Sequence, residues 1–404
     1  MTTVEEFRAE ARVWLPANLD HRGVATPDPH TAEHVAEHRA VQRRLFDGGF
    51  AGITWPAEHG GRGLTPAHER AFQEEAAGFL TPDFGILSVT TFGSCVPTMI
   101  RHANPEFLAR HVPKVLRGEE LWCQFFSEPA AGSDLAGVQT RATRADGGWR
   151  LDGAKIWSSL AHLADWGMCL ARTNWDVPKH KGLTWFGVPV DAPGLTVRPI
   201  RQIGGSSEFC EEFLDGVEVP DAERIGEVDK GWSVTSTLLV FERGAGRPGA
   251  VETPDEPGPL PADLLAAAAG RLDEPAVRQR IASVHVEDYV VAQLKARIAT
   301  LSRLGKADAG VAAYGKLALA GATAARARTA LELGGAGAVA WEPGTAGAGA
   351  AAHAFLESKK PAIAGGTEQM QRNGIAERVL GLPRERAVDV DVPFSEVLKR
   401  AREW

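Results

Sequence analysis

The pattern of apolar and polar positions divides the chain into three zones. Up to about Gly118, FRAEARVWL and HVAEHRAVQRRLFDGGF place apolar residues three and four apart, the spacing of a helix with one buried face. The Gly- and Pro-rich stretch ITWPAEHGGRGLTP predicts a loop. Helical periodicity resumes at HERAFQEEAAGF and at FLARHVPKVLRG, just after Asn104-Pro105. From about Glu119 to Asp229 the texture changes. GGWRLDGAKIWSS reads as two strands turning at Asp152-Gly153, because Asp-Gly suits the positive φ of a type I′ turn. WGMCLART, GLTWFGVPV, GLTVRPI and FCEEFLDGVEVP continue the run, and strands at this spacing predict a closed barrel or a sandwich. The third zone returns to helix with VTSTLLVFERGAG, followed by an inserted loop at about 245–262. Val277, Ile281, Val284, Leu294, Ile298 and Leu301 then lie mostly on one helix face, and an Ala-rich helix runs from about Ala307 to Leu333. Small residues there suit a closely packed bundle. The expected organisation is α+β: helical residues 1–118, a β domain at 119–229 and a helical bundle at 230–404.

Composition narrows the chemistry. With 404 residues, 44% hydrophobic and 24% charged, the chain is a globular protein too long for one ordinary core. Forty-four Lys and Arg against 52 Asp and Glu give a net charge of −8, with no basic block, so nucleic acid is not an expected partner. Cys95, Cys123, Cys169 and Cys210 are far apart and form no CxxC pair, and the histidines form no HExxH cluster. Neither a disulfide scaffold nor a metal site is expected, and the cysteine usage suits a cytoplasmic protein. MTTVEEFRAEARVWL lacks the apolar core of a signal peptide, and no stretch reads as a membrane span.

Three segments carry candidate chemistry. In Cys123–Asp134 (CQFFSEPAAGSD), Pro129 and Gly132 bend the chain, Gly132 permits close backbone approach, and Ser127 and Ser133 supply hydroxyls. Such a loop can hydrogen-bond the polar edge of a ring or a diphosphate, although alone it reads as an ordinary loop. In KIWSS, Trp157 and Ser159 alternate with Ser158 and should share one strand face, where an indole can pack on a flavin beside a hydroxyl. The plainer reading is a core Trp with a solvated Ser. In GGTEQMQRN, Thr367 and Gln369 open a helix whose free N–H groups can meet a cofactor, or Thr367 is simply the helix cap.

Together these segments resemble the acyl-CoA dehydrogenase family. The resemblance covers nearly the whole chain: WPAEHGGRG, LWCQFFSEPAAGSDLAGVQTRA, DGAKIWSS, GLTVRPI, FLDGVEVP, GWSV and GGTEQMQRNGIAERVLGLPRE occur in order and at the family's spacing. It implies an N-terminal helical domain, a central β-barrel and a C-terminal helical bundle. It also implies FAD held by Gln124, Phe126, Ser127, Gly132, Ser133, Trp157 and Ser159, with Thr367 and Gln369 as further contacts and Ser133 also touching acyl-CoA. The implied reaction is α,β-dehydrogenation of an acyl-CoA, with an electron-transfer flavoprotein as acceptor.

That reaction needs a carboxylate to take the α-proton of the thioester, and burial makes a carboxylate a better base. Most members of the family place a Glu directly before the Gly-Thr of the last motif, but here that position is Gly365. Glu368 lies three residues later, as a solvent-facing or capping residue. Other members carry the base on an earlier helix before an Arg, and this chain has Glu242-Arg243 there. Glu242 is therefore the expected base and Arg243 an organiser of the substrate site; as bare sequence, both are equally ordinary exposed helix charges.

The match departs from the family in three places. The Arg-x-x-Phe-Gly segment that reaches a neighbouring subunit's FAD is replaced by AGRLDEPAVRQRIA, leaving Arg278 or Arg280 as candidates. Leu331 stands where a Gln precedes Gly334-Gly335, and Ala364 replaces an aromatic. These changes keep two alternatives open beside the dehydrogenase: a non-catalytic subunit of a mixed assembly, and a flavin-dependent oxidase or monooxygenase on the same fold. The expected assembly is a homodimer or homotetramer, or a heterotetramer with a paralogous subunit.

Overall fold

The computed structural model describes residues 2–23, 30–242, 258–307, 310–341, 349–384, 387 and 389–401. The chain divides into two compact units. One comprises Met1–Gln202, Ser206–Gly249 and Arg386–Trp404; the other comprises Ile203–Gly205 and Ala250–Glu385.

The first unit opens with six helices: α1 (Val4–Asn18), α2 (Ala32–Asp47), α3 (Pro66–Ala76), α4 (Ile86–Thr90), α5 (Val96–His102) and α6 (Pro105–Leu116). Their starts are written in the sequence. Thr3 and Glu6 form a reciprocal capping box on α1, and Asn104 accepts from the Phe107 N–H with Pro105 in the first turn of α6. Phe7, Ala11 and Leu15, four residues apart, are all buried and pack with Val41, Leu45, Phe50 and Phe72. Between α4 and α5, Thr91–Cys95 form a π-helical turn. Its Thr91 Oγ1 accepts from the Trp122 N–H at 2.9 Å and donates to the Trp122 carbonyl at 3.0 Å, tying the turn to the sheet.

The sheet has eight strands: β1 (Trp122–Phe125), β2 (Arg141–Ala145), β3 (Gly148–Ser159), β4 (Trp166–Arg172), β5 (Leu183–Pro189), β6 (Leu195–Ile200), β7 (Phe209–Pro220) and β8 (Arg224–Ile225). They run in the order β6-β7-β3-β2-β4-β5-β8, with β1 beside β4. The terminal strands β6 and β8 are not paired with each other among the described residues. Alternation explains why the middle strands are apolar throughout. Cys123, Phe125, Cys169, Ala171, Phe186 and Val188 face one core, whereas Trp122, Met168, Leu170 and Trp185 face another, shared with Val96, Met99, Phe107 and Val112 of the helices.

One turn differs from the sequence reading. The β2–β3 hairpin turns at Asp146-Gly147, where Gly147 has φ 75° and Ala145 pairs with Gly148. Asp152-Gly153 instead lies inside β3, at a register shift against β7, with Asp152 Oδ1 accepting from the Gly216 N–H at 2.8 Å. The Asp-Gly rule holds, but the chain contains two such dipeptides six residues apart and the strand pairing with β7 selects the first.

After β8 comes α7 (Gly231–Glu242), and near the C-terminus α14 (Phe394–Ala401) returns to this unit. The Phe394 N–H donates to the Val177 carbonyl, and the fully buried Arg172 guanidinium lies 3.8 Å from the Phe394 ring centroid.

The second unit contains α8 (Ala262–Ala267), α9 (Pro275–Arg303), α10 (Val311–Val339), α11 (Ala350–Glu357), α12 (Lys360–Ile363) and α13 (Glu368–Arg378). Val277, Ile281 and Val284 pack with Leu264, Ala330 and Leu333 in its core. The Ala-rich α10 is kinked at Gly335. Part of the inserted stretch, residues 243–257, lies outside the described residues.

Candidate active site

In the first unit α7 packs against the π-helical turn, the turn against β1, and β1 against β3. Trp185 Nε1 donates to the Gly231 carbonyl and to Thr235 Oγ1, each at 3.0 Å, which fixes the start of α7 against β5. Farther along, His102 Nε2 and Thr237 Oγ1 are 2.7 Å apart, and the Arg101 guanidinium lies 5.3 Å from the Phe241 ring centroid. Glu242, the last residue of α7, is half-buried. Its charge reaches the π-helical turn: burial first, and the Glu242 carboxylate in addition, push the Cys95 thiol up to about 12, against hydrogen bonds from Ser94 and Gln124. Arg243 lies outside the described residues.

Gln124 on β1 completes this corner by donating from Nε2 to Ser94 Oγ at 2.9 Å. The chain then enters the loop after β1. Pro129 and Ala130 form a tight turn in which Glu128 and Ala131 exchange both backbone hydrogen bonds, at 3.0 and 3.1 Å. Phe126 packs against Trp185, with ring centroids 4.8 Å apart. The loop is stitched to β3 by the Ile156 N–H donating to the Ser127 carbonyl at 3.0 Å and by Lys155 Nζ donating to the Phe126 carbonyl at 3.1 Å. Phe126 and Ser127 are thus held beside Ile156 and Trp157.

Trp157 does not simply alternate with its neighbours. Ile156 pairs with Glu211 and Ser158 with Cys210, so Trp157 is the extra residue of a β-bulge, with φ 68°. Its side chain is 55% exposed while Ser158 is buried. Ser159 returns to the ladder opposite Phe209, whose ring meets Trp157 edge-on at 5.9 Å. The bulge, rather than strand alternation, turns the indole outward.

FAD, an aromatic ring system with a polar edge and a diphosphate, fits what these residues offer. Among the described residues the hydroxyls of Ser127, Ser133 and Ser159 and the indole N–H of Trp157 make no hydrogen bond within the protein. A Cβ built at Gly132 meets nothing within 4 Å. One large aromatic face and several unengaged donors therefore lie along joined segments.

Thr367 and Gln369 belong to the second unit. Thr367 caps α13, its Oγ1 accepting from the Met370 N–H at 3.2 Å, and Gln369 is exposed in the first turn. Gln371 donates from Nε2 to the carbonyls of Gly365 and Gly366, each at 3.2 Å. Gly365 has φ 65°, a left-handed conformation that disfavours any side chain there. Glu368 pairs with Arg372 at 3.4 Å along the helix. Arg278 folds back onto the carbonyls of Leu272 and Asp273, and Arg280 pairs with Glu332.

Sequence reasoning missed a buried charge cluster beneath the loop. Lys155, with its side chain fully buried, donates to Glu128 Oε1 at 2.8 Å. The Gln139 and Thr140 N–H groups donate to Glu128 as well, at 2.6 and 2.8 Å. Burial pushes Glu128 up, but Lys155 and these donors outweigh it and hold the carboxyl below its ordinary range. Opposite Lys155 on β7, Glu212 is fully buried, and burial pushes it up to about 7. The signal was present: Cys210, Glu212 and Leu214 alternate on the inward face of β7.

Glu212 gives a pH prediction. It faces Lys155 and Ser158 on β3, Glu211 and Cys210 on its own strand, Cys123 on β1 and Cys169 on β4. A carboxyl with a raised folded-state value holds its proton in the native state after the unfolded chain has released it. Stability contributed at low pH is then lost as pH rises from about 4.5 to 7, by roughly 3 kcal/mol in total. Urea unfolding across this range should show that decline, and Glu212→Gln should flatten it. An unchanged slope in the variant would remove Glu212 as its source.

The chain runs from helices through a sheet to helices, with Glu242 half-buried at the end of α7 and the Trp157 indole exposed on β3. Three family signatures match: Acyl-CoA dehydrogenase, N-terminal domain, over residues 3–119; middle domain, over 123–217; and C-terminal domain, over 265–380. The chain is 38% identical to Acyl-CoA dehydrogenase IpdE1 of Mycolicibacterium smegmatis, covering 95% of this chain and 99% of that protein. It is 40% identical to Acyl-CoA dehydrogenase FadE34 of Mycobacterium tuberculosis over 93% of this chain but spans about half (51%) of FadE34. Among solved structures it is similar to the Tcur3481-Tcur3483 steroid ACAD, with TM-score 0.73, 27% identity and coverage of 95% and 98% of the two chains. It is also similar to the ChsE4-ChsE5 complex from Mycobacterium tuberculosis, with TM-score 0.70, 25% identity and coverage of 95% and 98%. The chain belongs to the acyl-CoA dehydrogenase family, whose members depend on FAD.

Cys95, Cys123, Cys169 and Cys210 are free and buried. Among the described residues no cluster of His, Cys, Asp and Glu is placed to hold a metal ion, and no helix is long and apolar enough to cross a membrane.

Proposed function

We propose that this chain dehydrogenates an acyl-CoA thioester between its α and β carbons, giving the trans-2-enoyl-CoA, and passes the electrons to an electron-transfer flavoprotein. The observation that carries the reading is Glu242 at the end of α7, beside the corner built by Ser94, Cys95 and Gln124. Its half-buried carboxylate takes the α-proton of the bound thioester. FAD, when bound, supplies the two-electron acceptor for the β-hydrogen. Gln124, Phe126, Ser127, Gly132, Ser133, Trp157 and Ser159 would hold and cover that cofactor, and Ser133 would also meet the substrate; the family's motif makes Thr367 and Gln369 further candidates for contact with an FAD. Arg243, next to the base, organises the substrate site. Gly365 supports the assignment of Glu242, because the alternative position has no side chain and a backbone that disfavours one.

The steroid named for one structural relative favours a CoA thioester of a bulky alicyclic or steroid-derived acyl group over a simple fatty acyl chain. The two-component complex named for another favours a heteromeric assembly with a related subunit over a homo-oligomer. Arg278 and Arg280 accord with this, since each is engaged within its own unit. The free cysteines support a cytoplasmic location. Purification alone and with a paralogous subunit, followed by titration with a panel of acyl-CoAs under flavin absorbance, tests the reading. Bleaching by alicyclic thioesters is expected. A protein that binds no FAD in either preparation, or a bound flavin that no acyl-CoA bleaches, overturns it.

A further inference from the structure

The bulge at Trp157 needs an explanation of its own. A left-handed conformation costs a non-glycine residue on the order of 1–2 kcal/mol, so it persists where the surroundings over-determine it. Two such residues occur close together here, Trp157 at φ 68° and Leu160 at φ 49°. The Leu160 N–H donates to the Glu208 carbonyl at 2.7 Å, which fixes the far side of the bulge. The near side is fixed by a side chain. Ser158, buried and directly after Trp157, donates from Oγ to Glu212 Oε2 at 2.9 Å.

Glu212 is an unusual residue for this place. It sits on β7 opposite Lys155, and the two are cross-strand neighbours. The Lys155 ammonium, however, donates to Glu128 and to the Phe126 carbonyl. Glu212 Oε1 has no hydrogen-bond partner among the described residues, so the carboxyl's one hydrogen bond is the one to Ser158. Burial pushes Glu212 up to about 7, as suits a carboxyl surrounded by the thiols of Cys123, Cys169 and Cys210. A buried polar group with a single partner is costly to keep for packing alone. Its partner is the residue that anchors the strained Trp157.

We propose that Glu212 is a positioning residue: through Ser158 Oγ it locks the β-bulge that turns the Trp157 indole outward to meet the flavin. The second half of this statement rests on the assignment of Trp157 to the FAD site; the first half does not. Lys155 and Glu212 then divide the work between two adjacent positions of the sheet. Lys155 fixes the loop of Phe126 and Ser127, and Glu212 fixes the bulge of Trp157.

The test uses the full-length chain, purified with its natural assembly partner if it has one, with Glu212→Ala, Glu212→Gln, Ser158→Ala and the Glu212→Ala/Ser158→Ala double variant. Two measurements are made: amide hydrogen exchange over residues 156–160 in protein stripped of FAD, and the FAD dissociation constant. Glu212→Ala and Ser158→Ala should each speed exchange at the bulge and weaken FAD binding by about 10-fold, the loss of one buried hydrogen bond. The double variant should be no worse than either single one, because both remove the same contact. Glu212→Gln keeps an acceptor for Ser158 and should restore both readouts. Additive single effects, unchanged exchange, or a Glu212→Gln variant as impaired as Glu212→Ala would overturn the lock. Faster exchange with unchanged FAD affinity would uphold the lock and overturn the placement of Trp157 on the flavin.

Discussion

Replacing Glu242 with Gln is expected to leave a yellow protein that acyl-CoA no longer bleaches. The substitution preserves the size of the side chain at the half-buried end of α7 but removes its ability to accept a proton. Loss of a positioned general base costs about 100- to 10,000-fold, and the rate of flavin reduction in single-turnover mixing should fall within that range. FAD content and melting temperature should stay near those of the unaltered chain, because the helix is held by Trp185, His102 and Arg101 through residues other than Glu242. Reduction at the normal rate would assign the base elsewhere.

The largest stability effect is expected at Lys155. Replacing it with Met leaves Glu128 charged, buried and stripped of its cation. Breaking a buried pair from one side typically costs about 3–5 kcal/mol, far more than the pair itself contributes. Urea unfolding should register a loss of this size, together with weaker FAD retention, because the same ammonium holds the Phe126 carbonyl. The double variant Lys155→Met/Glu128→Gln should recover part of the stability, since no unpaired charge stays buried, but not all of it, because the amide NH2 then faces the N–H of Gln139 or Thr140. A single variant that loses less than about 1 kcal/mol would show that the Gln139 and Thr140 N–H groups suffice to hold Glu128.

These expectations show where the sequence was informative and where it was not. Helices and strands followed from periodicity because each buries a regular face. Phe7, Ala11 and Leu15 advertise α1, and the unbroken apolar run of β5 reflects burial on both sides. The segments around Ser127 and Trp157, which the structure joins through the Ile156 N–H and the Lys155 ammonium, were legible through the family's motifs. The bulge was not legible, because it is a property of the register between β3 and β7, and register depends on residues more than fifty positions apart. The Asp152-Gly153 turn failed for the same reason. Lys155 and Glu128 were overlooked because charge in a sequence suggests solvent, and nothing local announces that the two will be enclosed together. Strand alternation alone would have placed Glu212 inward with Cys210 and Leu214.

The backbone at Gly365 raises the cost of one route through sequence space. In relatives with the base before the last Gly-Thr, the chain at this point must accommodate a side chain; here it is coiled in a sense that L-amino acids resist, and Gln371 is bonded to the carbonyls of Gly365 and Gly366. If the base is Glu242, as proposed, a carboxylate acquired at residue 365 would have to offset a backbone cost of about 1–2 kcal/mol before it could replace the one on α7.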